Sequence, residues 1–351
     1  MPDATYGVVR ALGADDLEAA GVRAIMSNSY HLSRRPGVTT VGALGGLRAM
    51  MGWKGPIVTD SGGFQAYSLL HQDPSLGAIT SDGLVFAVER GHKPIRLTPE
   101  KSVQNQLRLG SNILFCLDDC THPDAGPNDQ RLSVERTVQW AKRCKTTFVS
   151  GLDSRRVEPD LRPGLFAVVQ GGRDPALRRE CAERLLEIGF DGFGYGGWPI
   201  DSDGALVHDL LTLTRELIPA EFPMQALGIG HPASIVACAR MGYTQFDSAL
   251  PTRDARRGRL YSFRTAAPDL ERDTKEWLEL TYIQDERHVR DSRPLSEYCM
   301  GQCCQRYSRG YLRHLSKIED PLFYRLATIH NLTFMRSLTD AIDAEKLLAN
   351  A

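Results

Sequence analysis

The sequence predicts an α/β protein of the (β/α)8 TIM-barrel type, and three observations carry the prediction. Eight short apolar runs alternate with longer amphipathic segments. The segments between them carry helix start and stop signals. Acidic, amide and glycine residues gather where the runs end, which is where barrels of this kind keep their chemistry. A doubly wound open sheet is the alternative that the same alternation allows.

In chain order the runs are YGVVRAL (6–12), AIMSNS (24–29), PIVTDS (56–61), NILFCLDD (112–119), LFAVVQGG (165–172), GFGYGG (192–197), MQALGIG (224–230) and TQFDSAL (244–250). The first is the expected opening strand. Among the intervening helices, TPEKSVQNQLRLG offers Thr98 as N-cap, Pro99 at the first helical position and Gly110 as the stop. DPALRRECAERLLEIG repeats the plan with Asp174, Pro175 and Gly189. The eighth run ends at Leu250, so a barrel core is expected over 1–265 and a C-terminal helical subdomain over 266–351. A barrel of this type typically takes about 250 residues.

Composition narrows the function classes. The chain has 351 residues, 42% hydrophobic and 24% charged, the balance of a folded soluble protein. A formal net charge of -1 supplies no global basic field, although a local patch remains compatible with it. No apolar stretch reaches the roughly 18 residues of a membrane span, and the amino end MPDATYGVVRALGADD lacks the features of a signal peptide. A cytoplasmic protein with no membrane partner is expected. Cys144, Cys181 and Cys238 stand alone in helix-like patterns, which reads as reduced buried thiols rather than a disulfide framework.

The polar residues at the run ends are Asp60 and Ser61, Asp118 and Asp119, Gln170 to Gly172, Gly196 and Gly197, Gly228 and Gly230, and Asp247. Carboxylates with amide and backbone donors suit divalent metal binding or glycosyl transfer. Phosphoryl transfer would want a phosphate cradle, and neither GxxxxGK[ST] nor GxGxxG occurs. Two carboxylates across a sugar serve as nucleophile and general acid/base in the retaining arrangement. Glycines at strand ends let backbone N–H and C=O groups approach a planar heterocycle that a side chain would block.

VTDSGGFQ, LDDCT, VVQGG, GYGGWPI, LGIG, FDSALPTRDARRG and YSRGYLRHL followed by IHNL stand in the order and spacing of the tRNA-guanine transglycosylases, and NSYHLSRRPG resembles that family's N-terminal motif. The resemblance covers nearly the whole chain, from about residue 2 to about 341. It implies a base exchange: guanine leaves a ribonucleoside unit and a 7-deazaguanine base (preQ0 or preQ1 type) is installed at the same C1′. Carried over by position, it implies Asp247 as the nucleophile that forms a covalent ribosyl enzyme and Asp60 as the general acid/base. It implies Ser61, Asp118 and Gln170, with the backbone of Gly197, as the groups that read the purine edge, and Phe64 as the ring on which the base stacks. Trp198, Leu227 and Gly228 fall among the remaining residues of the base pocket, and Arg253 and Arg256 fall where the family contacts RNA phosphates. A homodimer is also implied.

Several positions depart from the family pattern. Members resembling this chain bind a structural zinc ion through C-x-C-x2-C and a histidine, and here the middle position is Gly301 while an extra thiol, Cys303, adjoins Cys304. The expected ligand set is Cys299, Cys303, Cys304 and His330, with a weak three-ligand site or no metal as the alternative. The β-structure that relatives carry before the first barrel strand is expected to be absent. Asp343 stands thirteen residues beyond His330, where the family places an arginine that helps hold RNA, and an aspartate there would repel phosphate. Three functions stay open: base exchange on tRNA, which the RNA-facing motifs favour; the same chemistry on a free guanosine nucleotide or on DNA; and a non-catalytic accessory subunit, against which the retention of Asp60 and Asp247 argues.

Overall fold

In the computed structural model, residues 1–122, 124–266, 268, 270, 275–299 and 301–349 are described. The strands are β1 (Ile25–Ser27), β2 (Ile57–Thr59), β3 (Gly77–Thr80), β4 (Gly83–Phe86), β5 (Ile95–Leu97), β6 (Ile113–Phe115), β7 (Gly164–Val169), β8 (Gly192–Tyr195), β9 (Met224–Ala226), β10 (Gln245–Phe246), β11 (Arg259–Phe263) and β12 (Leu278–Tyr282). Seven of them form one sheet in the order β1-β2-β6-β7-β8-β9-β10. Every pairing in it is parallel. β3, β4 and β5 make a small antiparallel sheet inserted after the second barrel strand, and β11 pairs with β12 after the last.

The eighth stave is not the run at 6–12. Residues Pro2 and Asp3 make isolated parallel bridges to Ser248 and Met26, and so span the gap between β10 and β1. The run that was expected as the first strand is a series of turns instead. Gly7 and Ala11 take φ of 71° and 73°, conformations that break an extended chain, and Tyr6 and Val8 are exposed. The other seven runs contain β1, β2 and β6 to β10, each with the strand shorter than the run and the polar end left as loop.

The helices follow their signals. Asp174 Oδ1 accepts from the backbone N–H of Ala176 and Leu177 at the start of the helix Pro175–Ile188, which stops at Gly189. Thr98 caps Pro99–Leu109, and Gly110 ends it with φ 78°. The long helix Pro321–Ala349 packs along β11 and the helices Leu250–Arg256 and Gln302–Arg306, tying the C-terminal region to the barrel. Inside the barrel Met26, Val58, Phe115, Phe166 and Val168 form a buried layer of their own. That layer is the floor of the site. All eight cysteines are free thiols. Among the described residues no helix is long and apolar enough to cross a membrane.

Candidate active site

Each barrel strand ends by releasing its last polar residue toward one cavity of about 620 Å³, lined by Asp60, Ser61 and Phe64 beyond β2, Asp118 beyond β6, and Gln170 beyond β7. Gly197 and Trp198 beyond β8, Leu227 and Gly228 beyond β9, and Asp247 beyond β10 complete the ring, with Met26, Phe115 and Val168 below. The volume suits a purine-sized ligand with part of a sugar. The structure therefore brings ten sequence-predicted site residues to one place. Arg253 and Arg256 lie outside this lining, on the helix Leu250–Arg256 that follows Asp247; Arg253 is exposed, and Nη1 of the half-buried Arg256 has no hydrogen-bond partner.

The two carboxylates Asp60 and Asp247 are held differently. Asp60 accepts at both oxygens: Asn28 Nδ2 donates to Oδ2 at 2.6 Å and the backbone N–H of Ser29 to Oδ1 at 2.9 Å. Asn28 is also the N-cap of the helix Ser29–Arg34, its Oδ1 accepting from His31 N, so its amide has one orientation and Nδ2 must face Asp60. Burial raises the Asp60 pKa to about 7, against the pull of the Ser29 hydrogen bond. Asp247 accepts twice at one oxygen: Gln225 Nε2 at 2.6 Å and Gly228 N at 3.3 Å both donate to Oδ1. Burial raises its pKa too, and the Gln225 and Gly228 hydrogen bonds work in the opposite direction.

Asp118 Oδ2 accepts from Gln170 Nε2 at 2.7 Å, and burial raises its pKa to about 6. Gln170 Oε1 is buried without a partner in the protein, a free acceptor beside Gly197. The turn that follows β8 requires glycine twice. A Cβ on Gly196 would come within 2.6 Å of Val169 O, and Gly197 sits at φ 94°. Arg178, fully buried, fixes this turn by donating to Gly196 O at 3.1 Å, to Tyr195 Oη at 3.0 Å and to Gly172 O at 2.8 Å. Phe64, 47% exposed, and Trp198, 39% exposed, meet edge to face with centroids 5.7 Å apart at the rim. Ser61 Oγ accepts from Gly63 N at 3.2 Å.

Sequence reasoning missed Asn28, Gln225, Arg178 and Asp3, the last of which lines the cavity mouth. Asn28 lies in NSYHLSRRPG and Gln225 in MQALGIG, so both stood in motifs already singled out. Asp343 is not among the residues that line this cavity. Its carboxylate pairs with Arg23 at 3.3 Å, and it lines a second cavity of about 590 Å³ with Ala24, Pro56 and Thr244, residues that lead into β1, β2 and β10 rather than out of them.

In the C-terminal region the ligand atoms of Cys299, Cys304 and His330 lie within 4.8 Å of one another. Two thiolates and an imidazole suit zinc, and His330 Nε2 meets Tyr261 O at 2.8 Å, the outer hydrogen bond that orients a metal-bound imidazole. Cys303 does not join them, contrary to the ligand set expected from the sequence. It precedes Cys304 in the helix Gln302–Arg306, where neighbouring side chains diverge by about 100°, and it is fully buried in the same apolar cluster that holds Cys304.

A TIM-like barrel with two carboxylates over a purine-sized cavity suits a glycosyl-transferring enzyme. The model of the family described as TGT, queuine tRNA-ribosyltransferase, matches residues 1–345. Curated relatives include the queuine tRNA-ribosyltransferases of Solidesulfovibrio magneticus, 38% identical over 95% of this chain and 83% of that protein, and of Syntrophobacter fumaroxidans, 37% identical over 98% and 86%. That of Thioalkalivibrio sulfidiphilus is 38% identical over 99% and 88%. The chain belongs to the queuine tRNA-ribosyltransferase family and is a pentosyltransferase.

Proposed function

We propose that the chain exchanges guanine for a 7-deazaguanine base at C1′ of a ribonucleoside unit in tRNA, through a covalent ribosyl ester on Asp247. The observation that carries the assignment of roles is the unequal hydrogen bonding of the two carboxylates. With both donors on Oδ1, Asp247 keeps Oδ2 free, and that oxygen attacks C1′. As the C1′–N9 bond breaks, its electron pair goes to the base and Asp60 delivers a proton to it. A group titrating at about 7 is suited to give that proton and later to take one from N9 of the incoming base. N9 then attacks C1′, Asp247 leaves, and two displacements retain the configuration at C1′.

In this reading the base stacks on Phe64, with Leu227 on its other side. Asp118 accepts from N1–H and the 2-amino group, while the Gly197 N–H and the hydrogen of Gln170 Nε2 that is not given to Asp118 donate to O6. Trp198 crowds the 7-position, which favours the flat nitrile over the aminomethyl arm. Arg253 and Arg256 would contact phosphates beside the exchanged nucleotide, and Cys299, Cys304 and His330 would hold a structural zinc ion. The relatives' names specify tRNA for those proteins, and the arginines beyond Asp247 support the same acceptor here. The test is incorporation of radiolabelled guanine into tRNA or into GMP. Label in GMP alone would replace tRNA with the free nucleotide, and label in neither would remove the base-exchange reading.

A further inference from the structure

Cys299, Cys304 and His330 bring three ligand atoms within 4.8 Å of one another, and Gly301 lies beside Cys299 Sγ. We infer that a zinc ion held by these three residues has an open coordination position at Gly301, which takes a small ligand from solution: water, a low-molecular-weight thiol or an imidazole. The inference rests on reading the cluster as a zinc site and adds that the site is not closed by protein.

Gly301 faces the cluster. A Cβ built on it would lie 3.3 Å from Cys299 Sγ and 3.3 Å from Thr333 Oγ1, so a side chain there would stand beside the Cys299 sulfur at the edge of the cluster. Its backbone, at φ -66° and ψ 144°, is a conformation that any L-residue adopts, so glycine is not needed there for the fold. The Gly301 N–H donates to Cys299 Sγ at 3.4 Å, which turns that sulfur toward the same space. The alternative fourth thiol, Cys303, is fully buried and is not among the three residues whose ligand atoms lie within 4.8 Å of one another.

Thr333 does not close the corner either. Its hydroxyl donates to Ile329 O at 2.9 Å, and a neutral hydroxyl is outside the usual thiolate, imidazole and carboxylate ligands of zinc. What remains on Oγ1 is an acceptor lone pair placed to take a hydrogen bond from a metal-bound water. Access comes from the Cys299 and Gly301 side, since both are half-buried whereas His330 is fully buried. Three protein ligands with an open position is the arrangement found at catalytic rather than structural zinc sites. Here it lies in the C-terminal region, apart from Asp60 and Asp247, so its consequence is ligand exchange and easier metal loss.

Cobalt substitution of the full-length protein tests this, because tetrahedral Co²⁺ reports its thiolate count through sulfur-to-metal charge-transfer absorption. The wild type should take up one ion, and added 2-mercaptoethanol or imidazole should change its visible spectrum. Gly301→Cys should start with stronger charge transfer, ignore added thiol and hold zinc about tenfold or more tightly against a chelator. Cys303→Ala should match the wild type. A wild-type spectrum unmoved by added ligand, or charge transfer lost in Cys303→Ala, would overturn the open position. Uptake by Gly301→Cys but not by the wild type would overturn it as well. Absence of uptake by both would remove the zinc reading altogether, and guanine incorporation, assayed on the same preparations, would leave the base-exchange reading to stand or fall separately.

Discussion

Asp60 and Asp247 share a cavity and a strand-end origin, and what separates them is a handful of donors. Asp247→Asn removes the nucleophile while keeping an acceptor for Gln225, so exchange should fall by at least ~10^4, about 5.5 kcal/mol of transition-state stabilisation, with thermal unfolding little changed. An active Asp247→Asn enzyme would withdraw the assignment. Asp60→Ala should also be severely impaired yet still bind its acceptor. Asp60 makes a second prediction through its raised pKa, about 7 against the ordinary 3.8. Between those values the folded chain keeps a proton that the unfolded chain has released, so stability falls as pH rises through the window. The loss is at most about 4 kcal/mol at about 1.4 kcal/mol per pKa unit. Asp60→Asn cannot ionise, so its melting temperature should exceed that of the wild type at pH 8 and converge on it near pH 4. An equal offset at both pH values would mean that Asp60 does not titrate in this range. The carboxylates were legible in the sequence because each ends an apolar run. Their partners were not: that Gln225 reaches Asp247 and Asn28 reaches Asp60 depends on which strands lie side by side, and no local pattern encodes that.

Elements were legible where their signals are local. Asp174 with Pro175, and Thr98 with Pro99, mark helix starts by hydrogen bonds made within one turn, and the structure keeps both. The opening strand was misplaced for the opposite reason. Pro2 and Asp3 close the sheet through partners at Ser248 and Met26, contacts invisible to any window of neighbouring residues, whereas the apolar letters of 6–12 look like a strand and are bent by Gly7 and Ala11. The adjacent thiols Cys303 and Cys304 show the same limit, since spacing alone does not say that Cys304 is the one grouped with Cys299 and His330. The turn after β8 yields a prediction about base choice. Gly197 and Arg178 hold this turn, and Trp198 projects from it against Phe64. If the indole crowds the 7-position, the wild type should prefer the nitrile base over the aminomethyl base in direct competition, and Trp198→Leu should shift the ratio toward the aminomethyl base. An aminomethyl preference already present in the wild type would sink the argument.

At the scale of the whole molecule, the question is how a chain of net charge -1 engages a polyanion. The answer offered here is local: Arg10, Arg253 and Arg257 lie near enough to Arg256 to act on its pKa, which burial lowers first and these neighbours lower further, so cations crowd beside Asp247 without a basic surface overall. Cations crowded together gain most from an anion that they can share. Binding of a single-stranded segment should release about 0.7 counterions per phosphate contacted, which appears as a negative slope of log affinity against log salt. Arg253→Ala and Arg256→Ala should each reduce that slope by about one contact and weaken tRNA binding, with kcat changing less than KM. A mononucleotide offers one phosphate group, so its KM would respond weakly to salt and to one arginine alone. Asp343 supplies the control. It is paired with Arg23 beside the strand starts, so Asp343→Arg should leave the slope unchanged for either acceptor. A flat salt response in the wild type, with neither arginine substitution altering it, would transfer the preferred acceptor from tRNA to the free nucleotide while leaving the chemistry at Asp247 as described.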